Sequence, residues 1–188
     1  MGKKSRKRKE RELKRPPVAE QSKHYTLWLF LIVAAVAFLA YTHTISYDFV
    51  YDDDIQVLRN PWIRDWSQAV QFFTTDVWAF ANADKVSNYY RPLHMLVHTL
   101  GYGISGLKPY GYHLINLLIH CICTMLVAAV GFRLTRDRFV STAAGLIFAL
   151  HPVQVESVAW ISQRKNVLSM FLLLLGLWSY VRLDTGWP

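Results

Sequence analysis

Three consecutive carboxylates, Asp52, Asp53 and Asp54, stand in the stretch FVYDDDIQVLRNPWI, directly after an apolar run from Tyr25 to Tyr47. Acids at the edge of a membrane span are costly to hold near lipid unless they serve something. Adjacent carboxylates repel, so one of a close pair has its pKa raised, which suits a general base working near neutral pH. The same oxygens could hold a divalent cation, although no set of protein ligands for a metal can be assigned. A solvated start to an outer loop is the third reading.

Further polar residues recur at spacings that matter. In SNYYRPLHMLVH, Arg91–Pro92 opens a helix, since proline suits the first turn, and His94 and His98 lie four apart on one face. Tyr112, His113, Asn116 and His120 form a stripe on an otherwise apolar helix. Such a stripe faces the protein interior or a wet cavity, or serves hydrogen bonding between helices. In HPVQVESVAWISQRKNV, His151–Pro152 breaks a helical run, Glu156 follows, and Arg164 and Lys165 come at the outer surface. An acid, a histidine and two cations there could hold a phosphate through charge-assisted bonds, and a structural Glu156–Arg164 pair is the competing account.

The elements that must position these residues are read from the apolar blocks. Of 188 residues 53% are hydrophobic, and they gather into runs long enough to cross a bilayer. The expectation is an all-α polytopic membrane bundle with four spans, over 25–47, 112–134, 139–160 and 167–183. Residues 48–111 form a large first outer loop. Its apolar part, Leu93–Ile104, is too short to span and fits a helix lying along the membrane surface. Residues 1–24 are a cytoplasmic tail in which nine basic and two acidic residues give +7 within the first fifteen, out of a total of +8. Standing just before a span, that run follows the positive-inside rule and touches anionic membrane lipids, and no nucleic acid partner is assigned. The apolar run is longer than the core of a signal peptide, so an uncleaved anchor is expected. Arg133, Arg136, Arg138 and Arg182 belong inside, which puts the acidic loop and the turn Gln163–Arg164–Lys165 outside. Cys121 and Cys123, the only cysteines, are small packing residues within a span.

Taken in order, FVYDD, YYRPL, YHLINLLIH and HPVQVESVAWISQRKNVLSMF resemble the amino-terminal part of the transmembrane and tetratricopeptide-repeat proteins. The animal members of that family are O-mannosyltransferases, and many bacterial chains share its pattern. The resemblance implies the membrane fold of the lipid-sugar-dependent glycosyltransferases, with an acidic pair in a first outer loop. Asp52 and Asp53 match that pair, Asp54 is an extra acid, and Arg164 matches the position of a family arginine. The later spans and the repeats have no counterpart, since no 34-residue helical repeat is found, so a fragment of a larger protein is expected.

The function so implied is transfer of a sugar from a polyprenyl-phosphate donor to a hydroxyl of a protein or glycan acceptor on the outer face. Asp52 or Asp53 would be the base, and Arg91, His151, Arg164 and Lys165 would bind the donor phosphate. Asp54, His113 and Glu156 would support them. No cofactor is assigned, and a divalent cation is compatible with the acids. A non-catalytic anchor for a repeat domain and a transporter fragment are the alternatives, the latter disfavoured because the charges avoid the bilayer midplane. The form of the Gln163–Arg164–Lys165 turn points to a bacterial inner membrane with the site facing the periplasm. In a eukaryote the membrane would be that of the endoplasmic reticulum.

Overall fold

The computed structural model of the chain describes residues 18–81 and 88–183, with side chains from Thr26 onward. The basic run 3–15 lies outside the described residues. Among those described, every regular element is a helix.

Helix α1 (Val18–Tyr41) carries no proline or glycine and runs into a tighter turn, Thr42–Ser46, where the Thr44 hydroxyl donates to the Tyr41 carbonyl at 2.8 Å. The segment expected to face outward, the outer segment, follows as short turns, including a wide helical turn at Asp54–Leu58 and one α-helical turn at Ala69–Phe72. Helix α2 (Pro92–Ser105) and helix α3 (Pro109–Thr135) both open on a proline, whose fixed φ and missing N–H suit a first turn. Helix α3 stops at Arg136, which takes the left-handed conformation (φ 57°) and returns its N–H to the Phe132 carbonyl at 2.9 Å. Helix α4 (Arg138–Leu150) is capped by Asp137, whose Oδ1 accepts from the amides of Phe139 at 2.7 Å and Val140 at 3.2 Å.

The span expected over 139–160 is not one helix. Proline offers no N–H and pushes the residue before it out of the α region, so α4 ends at Leu150 with His151 extended. Helix α5 (Gln154–Ala159) and the turn Ile161–Gln163 follow, before helix α6 (Arg164–Leu183). Thirteen residues rise about 20 Å, short of the roughly 30 Å hydrocarbon core. Among the described residues, three stretches are long and apolar enough to cross a membrane: Thr26–Ser46, Pro109–Thr135 and Ile161–Leu183.

Helix α3 is the centre of this membrane bundle and packs against α1, α4 and α6. Of its apolar window 56% is buried, against 11% for the stretch containing α6. Gly145 of α4 sits where α1 and α3 converge. A Cβ there would lie 2.9 Å from Val33 Cγ1 and 3.1 Å from the Ala128 Cβ. The Ser141 hydroxyl adds a bond to the Ala128 carbonyl at 2.6 Å. At the far end Arg133 Nε donates to the Val181 carbonyl at 3.5 Å, so α3 and α6 run side by side in the same direction.

Among the described residues two apolar cores result. Ala37, Tyr41, Leu117, Cys121, Ala149 and Val158 close the bundle. Val57, Ile63, Phe72, Val77, Met95, Tyr112 and Ile161 form a second core under the outer segment. Tyr112 and Ile161 belong to the bundle helices and their entry turn, so the outer segment is seated on the starts of α3 and α6.

Candidate functional site

The chain leaves the first span and turns sharply at Val50–Asp53. The Asp53 amide donates to the Val50 carbonyl at 3.0 Å, and the Val50 amide donates back to Asp53 Oδ2 at 3.1 Å. Between them Tyr51 is left-handed (φ 49°). For a residue with a Cβ that conformation costs roughly 1–2 kcal/mol, so other contacts must hold it. Its ring lies against Trp160, with centroids 5.6 Å apart.

Asp53 is wholly buried. Its Oδ1 accepts the Ser162 amide at 2.8 Å and also the Ser162 hydroxyl in a short bond. Burial pushes its pKa up, opposed by the bonds from Ser162 and Val50 and by the charge of Arg164. Asp52 beside it is only half-buried. Asp54 pairs with Arg59 at 2.6 Å on the surface, a contact worth about 0–1 kcal/mol.

Arg164 opens α6 and points inward, fully buried. Its Nε donates to Asn116 Oδ1 at 2.6 Å and its Nη2 to the Tyr112 carbonyl at 2.8 Å. Its Nη1 lies 3.4 Å from His98 Nδ1. Asn116 in turn donates to the Val158 and Trp160 carbonyls, at 3.4 Å each, and so gathers the ends of α5 around α3.

A guanidinium only donates, which fixes the protons beyond it. His98 Nδ1 must offer its lone pair to Arg164, so His98 carries its proton on Nε2. That N–H reaches His94 Nε2 at 2.9 Å, which must therefore accept. His94 then holds its proton on Nδ1, an atom that is buried with no partner among the described residues. Gln56 Oε1 lies 2.9 Å from the same His94 Nε2, and with His94 in this tautomer the contact becomes a hydrogen bond only when the amide is turned to present its N–H. Burial, followed by the charges of Arg164, Arg91 and Lys165, drops the His94 pKa to about 3. Burial and the neighbouring His94 and Arg164 hold His98 well below its ordinary value. Both rings are neutral, and the array hangs the outer segment on α6.

Around this core lie the groups that solvent can reach. Lys165, half-buried, feels the charges of Arg91, Asp52 and Glu156. The Arg91 guanidinium lies 4.8 Å over the Tyr89 ring. Among the described residues neither cation has a carboxylate within ion-pair distance.

The structure thus brings Asp52, Asp53, Arg91, Arg164 and Lys165 to one end of the molecule. Glu156 is nearby but accepts from Gln163 Nε2 at 2.8 Å, so the Glu156–Arg164 pair does not form. Arg164, expected to meet a phosphate, is fully buried and has one contact from each of its three nitrogens directed inside the protein. His151 is exposed at the break after α4, where its Nδ1 accepts the Val153 amide at 3.2 Å. His113 is buried in the bundle with its ring edge-on to Tyr47. His120 bonds the Ala149 carbonyl at 3.2 Å, and with Asn116 it shows what the polar stripe on α3 does: it joins helices. Among the described residues no group of three or more histidine, cysteine or carboxylate side chains is placed to hold a metal ion. Ser162 and Gln56 were not marked by any sequence pattern, because their partners are 109 and 38 residues away.

No family model matches the chain, and no solved structure does. Curated proteins do. The chain is 34% identical over 170 residues to the fruit-fly protein O-mannosyl-transferase Tmtc1, covering 90% of itself and 20% of that protein. It is 32% identical over 163 residues to human protein O-mannosyl-transferase TMTC1, covering 82% of itself and 18% of the relative. Against human TMTC3 the identity is 31% over 152 residues, covering 80% and 16%. The chain spans about a fifth of the length of the curated relatives it matches.

Proposed function

We propose that this chain, which belongs to the transmembrane protein O-mannosyl-transferase family of those relatives, takes part in moving a sugar from a polyprenyl-phosphate donor to a hydroxyl at the outer membrane surface. The observation that carries the reading is the company kept by Asp52. It is a half-buried carboxylate set beside one fully buried acid, and its charge is felt at Lys165, which also feels Arg91; neither cation has a carboxylate partner among the described residues.

In the proposed step, the acceptor oxygen bonds to the anomeric carbon while its proton passes to the Asp52 carboxylate. The bond between that carbon and the phosphate oxygen breaks, and the lipid phosphate leaves with the bonding pair. Arg91 and Lys165 are the groups free to meet its charge, which they stabilise as it develops. Arg164 is assigned no contact with the phosphate. Its charge acts through Asp53, His94 and His98. The acceptor is a protein or glycan hydroxyl, and the outer side is the one opposite the arginines at the α3–α4 turn. The three relatives named above are animal proteins, so the bacterial periplasm draws no support from them.

The test is transfer of labelled mannose from polyprenyl-phosphate mannose to a hydroxyl-bearing peptide by membranes carrying the protein. An Asp52→Asn change removes a general base and should lower transfer by about 10²–10⁴-fold while leaving membrane insertion intact. Transfer at the parent rate by that variant removes Asp52 from the chemistry. One observation favours a second reading, in which the chain is a non-catalytic membrane anchor: Asp53 and Arg164 are both consumed in seating the outer segment. An anchor would tolerate loss of Asp52, Arg91 and Lys165 together.

A further inference from the structure

The acidic pair is divided in kind. Asp53 has no exposed surface and each of its oxygens already accepts an N–H, whereas Asp52 keeps a solvent-reachable carboxylate. The split begins one residue earlier. Tyr51 holds a left-handed backbone although it is neither glycine nor asparagine, and its side chain is 84% exposed, so burial of the ring does not force it there. What encloses it is the reciprocal pair of bonds between Val50 and Asp53, closed on both sides of Tyr51. The Asp54 amide adds a bond to the Tyr51 carbonyl at 3.3 Å, and the Gln56 amide one to the Asp52 carbonyl at 2.8 Å. The far anchor is Ser162, 1% exposed and placed at the entry to α6 by Ile161, which is buried in the outer core.

We propose that Asp53 and Ser162 form a clamp that locks the strained turn at Tyr51 and thereby presents Asp52 to the outer surface, so that both are positioning residues for the transfer proposed above. The proposal rests on that reading for its purpose, and its geometry is separate from it. Ser162 supplies two donors to one oxygen, Oδ1, and Val50 supplies one to the other. The side chain of Asp53 is thereby fixed about both torsions, and the backbone of Val50 is fixed with it. A residue whose backbone is held in a sparsely populated region persists only when its surroundings over-determine it. Here the surroundings are Asp53 on one side and Trp160 on the other. Without the clamp Tyr51 relaxes to an ordinary backbone conformation and Asp52 swings with it, away from Lys165 and Arg91. Because Ser162 lies two residues before Arg164, the same short stretch sets the cations and the acid in register.

Carboxyl labelling reads this without any sugar transfer. The intact protein in lipid nanodiscs is treated with a water-soluble carbodiimide and an amine, and modified aspartates are located by mass spectrometry. The parent protein should label at Asp52 and resist at Asp53. Ser162→Ala should expose Asp53 to the reagent, and Ser162→Thr, which keeps a hydroxyl, should restore its protection. Tyr51→Gly, for which a positive φ is no strain, should keep Asp52 reactive even in the Ser162→Ala background. Helix content by circular dichroism accompanies each variant. Equal labelling of both acids in the parent overturns the clamp, as does a Ser162→Ala protein in which Asp53 stays as resistant as before. If labelling follows the clamp while the parent protein moves no mannose, the transferase reading fails and the clamp stands. If mannose is moved but Ser162→Ala leaves both labelling and turnover unchanged, the clamp fails and the transferase reading stands.

Discussion

Arg164 brings a positive charge to a place with no exposed surface, and Asn116 and the Tyr112 carbonyl are what make that tolerable. Asn116→Leu keeps the volume and removes the acceptor, leaving a charged donor unmet. Such a bond contributes about 1.5–3 kcal/mol, and denaturant unfolding in detergent should show a loss of that size. The neutral histidines behind Arg164 make a second prediction. His94 has its folded pKa dropped to about 3, far below the value near 6.5 of an unfolded histidine. Between those values the unfolded chain takes up a proton that the folded chain refuses, so stability falls as pH drops from about 6.5 toward about 3. His94 gives a slope of about 1.4 kcal/mol per pH unit in that window. His98 shifts the same way, while Asp53, whose pKa is raised, works in the opposite sense in the carboxylate range. The double variant His94→Gln/His98→Gln should flatten the dependence in unfolding curves taken at pH 7 and pH 5. At this scale the sequence marks residue types and little of their partners. Adjacent acids, histidines four apart and a basic turn are visible in a string. That Ser162 meets Asp53 across 109 residues is not, because a lone serine before a basic pair has no local signature.

Helix α4 shows what a proline does to an apolar run. The stretch 139–160 is hydrophobic throughout enough of its length to read as one span. The break lies at His151–Pro152, where the missing N–H and the constraint on His151 end the helix. The signal stood in the residues, and the apolar average outweighed it in fixing the expected span. The other three long helices were legible because their apolar runs contain no proline beyond the first turn. At α4 the packing is tight, and Gly145→Val would push a branched side chain into Val33 and Ala128. Overpacking of that kind costs about 1–3 kcal/mol. The loss should appear as a lower unfolding temperature in detergent, whereas substitution of Gly103, which has open space around it, should leave that temperature in place. The orientation of α2 could not have been derived from its apolar pattern alone. It buries His94, His98 and Thr99 and leaves Leu93, Leu100 and Ile104 exposed, because Arg164 and Gln56 recruit the polar face inward.

For the molecule as a whole, the outer ends of α1, α3 and α6 support a small polar and aromatic layer, and the opposite end carries the arginines of the α3–α4 turn. The helical bundle was readable from the apolar blocks, since it depends on averages over many residues; the outward direction of the acidic loop is an expectation from charge placement. Which acid faces solvent and which cation is internal depends on tertiary contacts, and only the folded chain separates them. We propose sugar transfer at this outer layer with Asp52 as the base. The direct measurement is mannose transfer in sealed vesicles of known orientation, with donor in the membrane and a hydroxyl peptide supplied on one side at a time, for the parent protein and Asp52→Asn. Transfer is expected only when the peptide meets the face bearing Asp52, and is lost in Asp52→Asn. Transfer from the face bearing Arg136, or an undiminished rate in Asp52→Asn, overturns that role.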